Sequence, residues 1–494
     1  MDLQWHDGDS EARFSAYVEA LSPCLRHADR VAPFRSYCTG LLLPGKRKSV
    51  EPMAARLRPD RTSAEHQSLL HFVGQSPWHH EALLAAVRAS VLPVITADHQ
   101  IEAWIVDDTG MPKKGKHSVG VARQYCGQLG KQDNCQVAVS LSVATSQSSL
   151  PVAWQLYLPQ SWCGDGAAEV ARRRAAKVPD DIVFRTKPEI AFGQITSALA
   201  AGIAPGVILA DAAYGNSSAF RDGLTAAGLT FMVGVQGTLT AWPPGLAPVV
   251  ASLPGPGRPS RHLRRGGDGA PAAQVAALAE ALPAEAWREV AWRQGAAEEL
   301  SSRFAALRVR PAQGDLRGEH RDDHRSEPRA EQWLLIEWPL EDGEGMKFWF
   351  STLPAETSIK RLVYVAKLRW LIERDYQELK QEVGLGDYEG RSWRGFHHHG
   401  ALCIAAYGFL IAEKAALPPS APETAWLVKT PELPHDYRPR GGADPNRTSC
   451  APLNRNTTRQ DCPGAGEKPA PMSMLQQDHK TSIQWVTPFM TQQD

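Results

Sequence analysis

The sequence predicts an α/β fold in which a mixed sheet is flanked by helices, with a helical N-terminal domain ahead of it and a β-rich insertion before its last helices. Three observations predict this. Apolar residues recur at helical spacing up to about residue 95, and from Ile101 the pattern changes to short β-branched runs. Strand and helix patterns then alternate as far as Val235, and two of those strands, the first and the fourth, end on aspartate. After a long irregular stretch, Thr357 to Val383 carries the longest helical signal in the chain.

Composition limits the function classes. A chain of 494 residues with 43% hydrophobic residues can fill two or three folded units. Lys plus Arg and Asp plus Glu both total 54, so overall charge names no acidic partner, and a nucleic-acid surface must come from local asymmetry. The eight cysteines form no C-x-x-C pair, which argues against structural zinc and a disulfide framework and for reduced thiols. No run of about eighteen apolar residues occurs, so the expectation is a soluble, cytoplasmic protein with no membrane partner.

In order, residues 1–95 read as a helical domain: Ala12 to Leu25, a break at Pro33 and Pro44, then Ser63 to Val73 and Glu81 to Val91. Between Arg26 and Arg61, nine Lys or Arg face three acids, an excess that reads either as a solvated charged face or as a surface that follows a phosphate backbone; Lys46, Arg47 and Lys48 stand at its centre. Residues 96–235 hold three strands read as a meander (Ile101 to Asp108, Cys135 to Thr145, Val152 to Leu158). A helix from Pro188 to Ala201, the strand Val207 to Asp211, a helix from Ser217 to Ala227 and the strand Leu229 to Val235 follow.

Residues 236–352 interrupt the alternation. Pro271 to Trp292 reads as helical, Arg310 to Arg329 as low-complexity charge, and Trp333 to Trp338 with Met346 to Leu353 as a hairpin. Residues 353–416 hold the long helix, started by Thr357 or Ser358 and ended at Gly384. Residues 417–494, rich in Pro, Gly, Asn and Thr, read as mostly disordered.

The chemistry concentrates in W-I-V-D-D-T-G-M-P-K-K-G-K from Trp104. A strand stops on two carboxylates and turns through Gly110 and Pro112 into a loop bearing Lys113, Lys114 and Lys116. Taken alone, this is also the pattern of a strand ending in a polar turn. If the strands ending at Asp108 and Asp211 lie parallel and adjacent, their carboxylates meet at one sheet edge. Carboxylates that close call for a cation, and hard oxygen ligands select magnesium or manganese. At 100° per residue, Arg369, Glu373 and Lys380 share one face of the long helix, either as a salt-bridged row or as a third acid with two cations beside it.

These residues resemble the DDE transposases of bacterial insertion sequences. The resemblance rests on D-D-T-G-M-P-K-K-G-K-H-S-V-G-V-A-R-Q-Y-C-G from Asp107, L-A-D-A-A-Y-G from Leu209 and L-R-W-L-I-E-R-D-Y-Q-E-L-K from Leu368, and spans roughly residues 35–415. Arg369, Glu373 and Lys380 match the family pattern Tyr-x2-Arg-x3-Glu-x6-Lys, while its tyrosine position is Ala366. The resemblance implies a ribonuclease-H-like domain in which Asp108, Asp211 and Glu373 bind two Mg2+ or Mn2+ ions. Asp108 is preferred to Asp107 because it directly precedes Thr-Gly.

It further implies a cut-and-paste transposase acting as a homodimer on the terminal inverted repeats of its element in double-stranded DNA, in the bacterial nucleoid. Arg369 and Lys380 would hold phosphates, and Lys113, Lys114, Lys116, Arg391 and Arg394 are further candidates. Trp393 and His397 to His399 could contact DNA, and Trp242, Trp287 or Trp292 of the insertion could stack on a displaced base. A nuclease and a catalytically silent DNA-binding repressor are the alternatives. Beyond Arg438 the family's basic and apolar sequence is missing, as a shifted reading frame would leave it.

Overall fold

The computed structural model describes residues 5, 9–250, 263–266, 271–294, 299–313, 328–339 and 345–417, all within one compact unit. Five helices open it: α1 Ser10–Leu21, α2 Val31–Leu42, α3 Val50–Leu57, α4 Thr62–Gly74 and α5 His80–Ile95. Pro33 falls in the first turn of α2 rather than breaking a helix, since proline's missing N–H costs nothing there.

The sheet begins with β1 Ala103–Pro112, β2 Ala122–Cys126, β3 Lys131–Ala144 and β4 Ser149–Leu156. Helices α6 Ala167–Ala175 and α7 Lys187–Ala200 lead to β5 Val207–Ala210. The short α8 Ala212–Gly215 and α9 Ser218–Ala226 then lead to β6 Phe231–Val235. The pairing runs β4-β3-β1-β5-β6: β1 and β3 are antiparallel, and β1, β5 and β6 are parallel. This is the ribonuclease-H-like arrangement. The expected three-strand meander has a fourth member, β2, which pairs the far end of β3.

The insertion contributes β7 Thr240–Trp242, β8 Pro248–Val250, β9 Leu263–Gly266, β10 Ala273–Gln274, α10 Val275–Glu280, β11 Arg288–Gln294, β12 Glu299–Pro311, β13 Gln332–Trp338 and β14 Lys347–Ser351. Its hairpin is present, with Glu337 opposite Lys347, and β14 pairs antiparallel with β6. The insertion therefore widens the main sheet to twelve strands. The helix expected over Pro271 to Trp292 is confined to α10; Arg288 onward pairs with β12 instead, where Val290 finds a buried place.

The long C-terminal helix is two helices, α11 Ile359–Lys367 and α12 Trp370–Gln381, followed by α13 Trp393–Ala416. No proline makes the break. The N–H groups of Leu371 and Ile372 bond the carbonyls of Leu368 and Arg369, three residues back, which tightens one turn. Ser358 caps α11, and Gly384 leaves α12 at φ +79.

Helix α13 is buried nearly all round and joins the N-terminal helices to the sheet: Tyr17, Phe34, Phe72 and Val87 share one core with Trp104, Leu141 and Ile404. A second core under the insertion holds Val275, Ala279, Val309, Leu334, Ile336 and Phe350. Among the described residues no helix is long and apolar enough to cross a membrane, and all six cysteines are free thiols. The tail beyond Leu417, where the disorder and frame-shift expectations fall, lies outside the described residues.

Candidate active site

Strand β1 does not stop at Asp108. Gly110, Met111 and Pro112 continue its ladder opposite Val137, Gln136 and Cys135, with proline at the strand end where a missing donor is tolerated. The two aspartates are therefore interior to the strand and project to opposite faces. Which face each takes is set by its neighbours. Ala103, Trp104 and Ile105 pair with Val207, Ile208 and Leu209, a constant offset that puts Asp107 level with Asp211. In β3, Ser140 lies opposite Asp107, and its hydroxyl bonds that of Tyr376 on α12. Asp107 thus belongs to the face that α12 covers.

Arg369 confirms the geometry of that face. Its Nη1 lies 2.9 Å from Asp107 Oδ2 and its Nη2 3.0 Å from Glu373 Oε1, so one guanidinium bridges a buried acid and an exposed one. Asp211 caps α8, its Oδ1 accepting the Ala213 N–H at 2.9 Å. Burial pushes the Asp107 carboxyl up to about 7 against the pull of Arg369, and the charges of Asp211 and Asp108 push the same way. Arg369 in turn is held above the ordinary arginine range: burial opposes its charge, and Asp107, Glu373 and Asp211 outweigh burial.

Asp108 is on the other face, ion-paired with Lys187 at the start of α7. Asp108, the aspartate preferred in the sequence, is thus outside this cluster and Asp107 is in it: β1 runs four residues past Asp108, and its register with β5 sets the face.

Three carboxylates with no sulfur or nitrogen are the donor set that suits Mg2+ or Mn2+. Asp107, costly to keep ionised where it is buried, is the kind of group a cation would stabilise. Among the described residues no three His, Cys, Asp or Glu side chains stand close enough together to hold an ion. Glu373, with 64% of its side chain exposed, is free to swing.

The basic candidates separate into two kinds. Lys380 donates to the Gly110 carbonyl at 3.0 Å, and Lys113 to that of Tyr388 at 2.7 Å, so both brace the strand end. Lys48 is a correction: only 3% exposed, it donates to the carbonyls of Leu41 and Leu43, and burial lowers its pKa to about 8. It cannot follow a phosphate backbone from there. Arg47 pairs with Glu389, and Arg394 donates to the Gln75 carbonyl at 2.9 Å. Lys46, Lys114, Lys116 and Arg391 are exposed.

The histidines are a second correction. His397, His398 and His399 are 1–2% exposed inside the core, and Trp393 is buried beside them, so none is placed to meet DNA. Of the insertion tryptophans, Trp242 is fully buried and Trp292 lies under Lys367, 4.0 Å from its ring centroid. Trp287 packs edge-on against the exposed Trp338.

Two residues near the acids were not anticipated. The T-K-P-E capping box at Thr186 marks the start of α7, but nothing local says that Lys187 faces Asp108. Tyr214, three residues after Asp211, has a fully buried hydroxyl with no hydrogen-bond partner among the described residues, and the charges of Asp108, Asp107 and Asp211 all act on it.

Comparison with known proteins bears on the family. The model of the DDE superfamily endonucleases matches residues 20–299, and that of the transposase DDE domain matches residues 191–409. A probable transposase for insertion sequence element IS701 from Microchaete diplosiphon is 31% identical over 204 residues, 41% of this chain and 47% of that protein. The chain thus spans about half the length of this curated relative. With one family model over more than half of the chain and a second, for the transposase DDE domain, running on into α13, the chain belongs to the DDE superfamily endonucleases.

Proposed function

We propose that this protein is a metal-dependent DNA transposase that cuts and rejoins DNA at the terminal inverted repeats of an insertion sequence, in cut-and-paste fashion, as a homodimer on duplex DNA. The observation that carries the reading is the Arg369 guanidinium held between Asp107 and Glu373 at the level of Asp211. Asp107, Asp211 and Glu373 are the residues that would hold divalent metal, and Asp107 replaces Asp108 as the first acid. The metal, when bound, would activate an attacking oxygen and offset charge on the leaving one.

The chain's own residues do the positioning. Lys380 fixes the Gly110 carbonyl and so ties the end of β1 to α12, which keeps Asp107 and Glu373 in one frame. With metal held by the carboxylates, Arg369 would be available to hold a phosphate in bidentate fashion.

The test is to incubate the protein with magnesium and a labelled duplex ending in the element's own repeats. Cleavage at the repeat boundary should fall roughly 10⁴-fold in Glu373→Gln while binding persists. Binding without cutting by the wild type would make the protein a repressor, and cutting without regard to sequence would make it a nuclease.

A further inference from the structure

One buried hydroxyl near the acids, that of Tyr214 on α8, finds no partner among the described residues. The three other tyrosines buried to the same degree are all taken up by the fold. Tyr17 donates to the Ala405 carbonyl at 3.0 Å, Tyr37 bonds the His399 ring at 2.9 Å, and Tyr407 donates to the Asp375 carboxylate at 2.9 Å. A polar atom taken out of water without a partner is destabilising, so this exception in a packed core calls for a reason outside the fold.

The backbone holds that side chain in place. The Tyr214 and Gly215 N–H groups both bond the Asp211 carbonyl, at 3.2 and 2.9 Å. Helix α8 lies directly on β6: a Cβ at Gly215 would collide with the Gly234 carbonyl, and one at Gly234 would come 3.0 Å from the Ala212 nitrogen. Burial, and after it the charges of Asp108, Asp107 and Asp211, push the hydroxyl well above the ordinary tyrosine range, so it stays a neutral donor in the field of three carboxylates. Asp211, the acid nearest to it along the chain, has an acceptor to spare. Its Oδ1 takes the Ala213 N–H at 2.9 Å, and its Oδ2 bonds no described residue.

We propose that Tyr214 is a positioning residue of the carboxylate site: its hydroxyl donates to the Asp211 carboxylate when the acids take up a divalent cation, and holds that carboxylate in its ligating orientation. The inference rests on the metal-binding reading and deepens it by one residue. Carboxylates that ligate a metal are themselves hydrogen-bonded, and the donors that orient them are worth about 10- to 100-fold in metal affinity. Arg369 gives such support to Asp107 and Glu373, which its guanidinium already spans. For Asp211 that support falls to Tyr214, whose buried hydroxyl has no competing bond in the described chain.

The test titrates full-length protein with Mn2+ alone, follows free Mn2+ by its electron paramagnetic resonance, and records thermal melts in chelator beside magnesium-dependent cleavage. Tyr214→Phe should bind Mn2+ roughly tenfold more weakly. Its melting temperature in chelator should equal or exceed that of the wild type, because the hydroxyl it removes has no partner. The magnesium concentration that half-saturates cleavage should rise by about the same factor, with the rate recovered at high magnesium. Tyr17→Phe, which gives up a partnered hydroxyl, should do the reverse: a lower melting temperature and unchanged Mn2+ affinity. A Tyr214→Phe protein that melts lower in chelator and keeps wild-type Mn2+ affinity has lost only a structural group, which overturns the assignment and leaves the function standing. A wild type that neither takes up Mn2+ saturably nor cuts overturns both.

Discussion

Two clusters of ionisable side chains sit within a few helical turns of each other, and they are satisfied in opposite ways. Around Arg369, the acids Asp107 and Glu373 find their partner in another side chain, and Glu373 is largely in solvent. Along α13 the polar atoms are consumed by the fold. His397 Nε2 accepts the Leu156 N–H at 3.2 Å and its Nδ1 faces the Trp393 carbonyl at 2.9 Å. The two ring nitrogens of His398 face the carbonyls of Val73 and Trp78, and His399 bridges the Tyr37 hydroxyl to the Gly384 carbonyl. The first cluster can exchange partners without moving backbone, whereas the second can do so only by losing structure. A site needs the former kind of satisfaction.

The sharpest way to break the comparison is to neutralise the twin aspartates one at a time. Asp107→Asn should lower magnesium-dependent cleavage by roughly 10⁴-fold, with a melting temperature equal to or above wild type, because a buried carboxylate is removed. Asp108→Asn should weaken cleavage far less, since it removes only the pairing with Lys187. Cleavage rates and thermal melts of the two proteins decide the matter. If Asp108→Asn is the inactive one, the phase of β1 in the site has to be read the other way.

Much of the fold was legible because it rests on local signals. The capped starts of α7 and α11, the apolar run of β5 and the hairpin of β13 and β14 all carry their own punctuation. The parallel pairing of β1 with β5, a condition in the sequence reading, is met in the structure. What was not legible depends on distant partners. The face taken by Asp107 is decided by a register with β5 about a hundred residues away, and β2 is a strand only because β3 is long enough to pair it. The split between α11 and α12 has no proline or glycine to announce it. Lys48 reads as one more member of a basic run, and only the packed structure shows its ammonium turned inward onto two carbonyls.

On the other side of the comparison, His398→Ala should act on stability rather than chemistry. It removes the one N–H that the neutral ring can donate to the Val73 or the Trp78 carbonyl and opens space beside the Trp78 ring, stacked 3.6 Å away. The expected cost is about 3 kcal/mol in urea unfolding. Cleavage per folded molecule should stay within a few-fold of wild type. A variant with native stability and lost cleavage would place the α13 row in the site after all.

Proton linkage separates the clusters by sign. Burial lowers His398 to about 3 and His399 to about 4, against about 6.5 in an unfolded chain. Below pH 6.5 the unfolded state takes up protons that the folded rings refuse, so their contribution is intact above that pH and is lost as pH falls toward the folded values. Asp107 and Asp375, both raised to about 7 chiefly by burial, run the other way. Folded protein takes up their protons first, and stability is gained as pH falls from 7 toward the unfolded carboxyl range. The opposed slopes flatten the wild-type curve, so one ring has to be isolated by difference. His398→Gln keeps a donor for one carbonyl and does not titrate. Relative to wild type it should gain about 2 kcal/mol as pH falls from about 7 to about 5, read from urea unfolding in chelator at each pH. A constant difference across that range would mean that His398 takes up its proton as readily in the folded protein as in the unfolded chain.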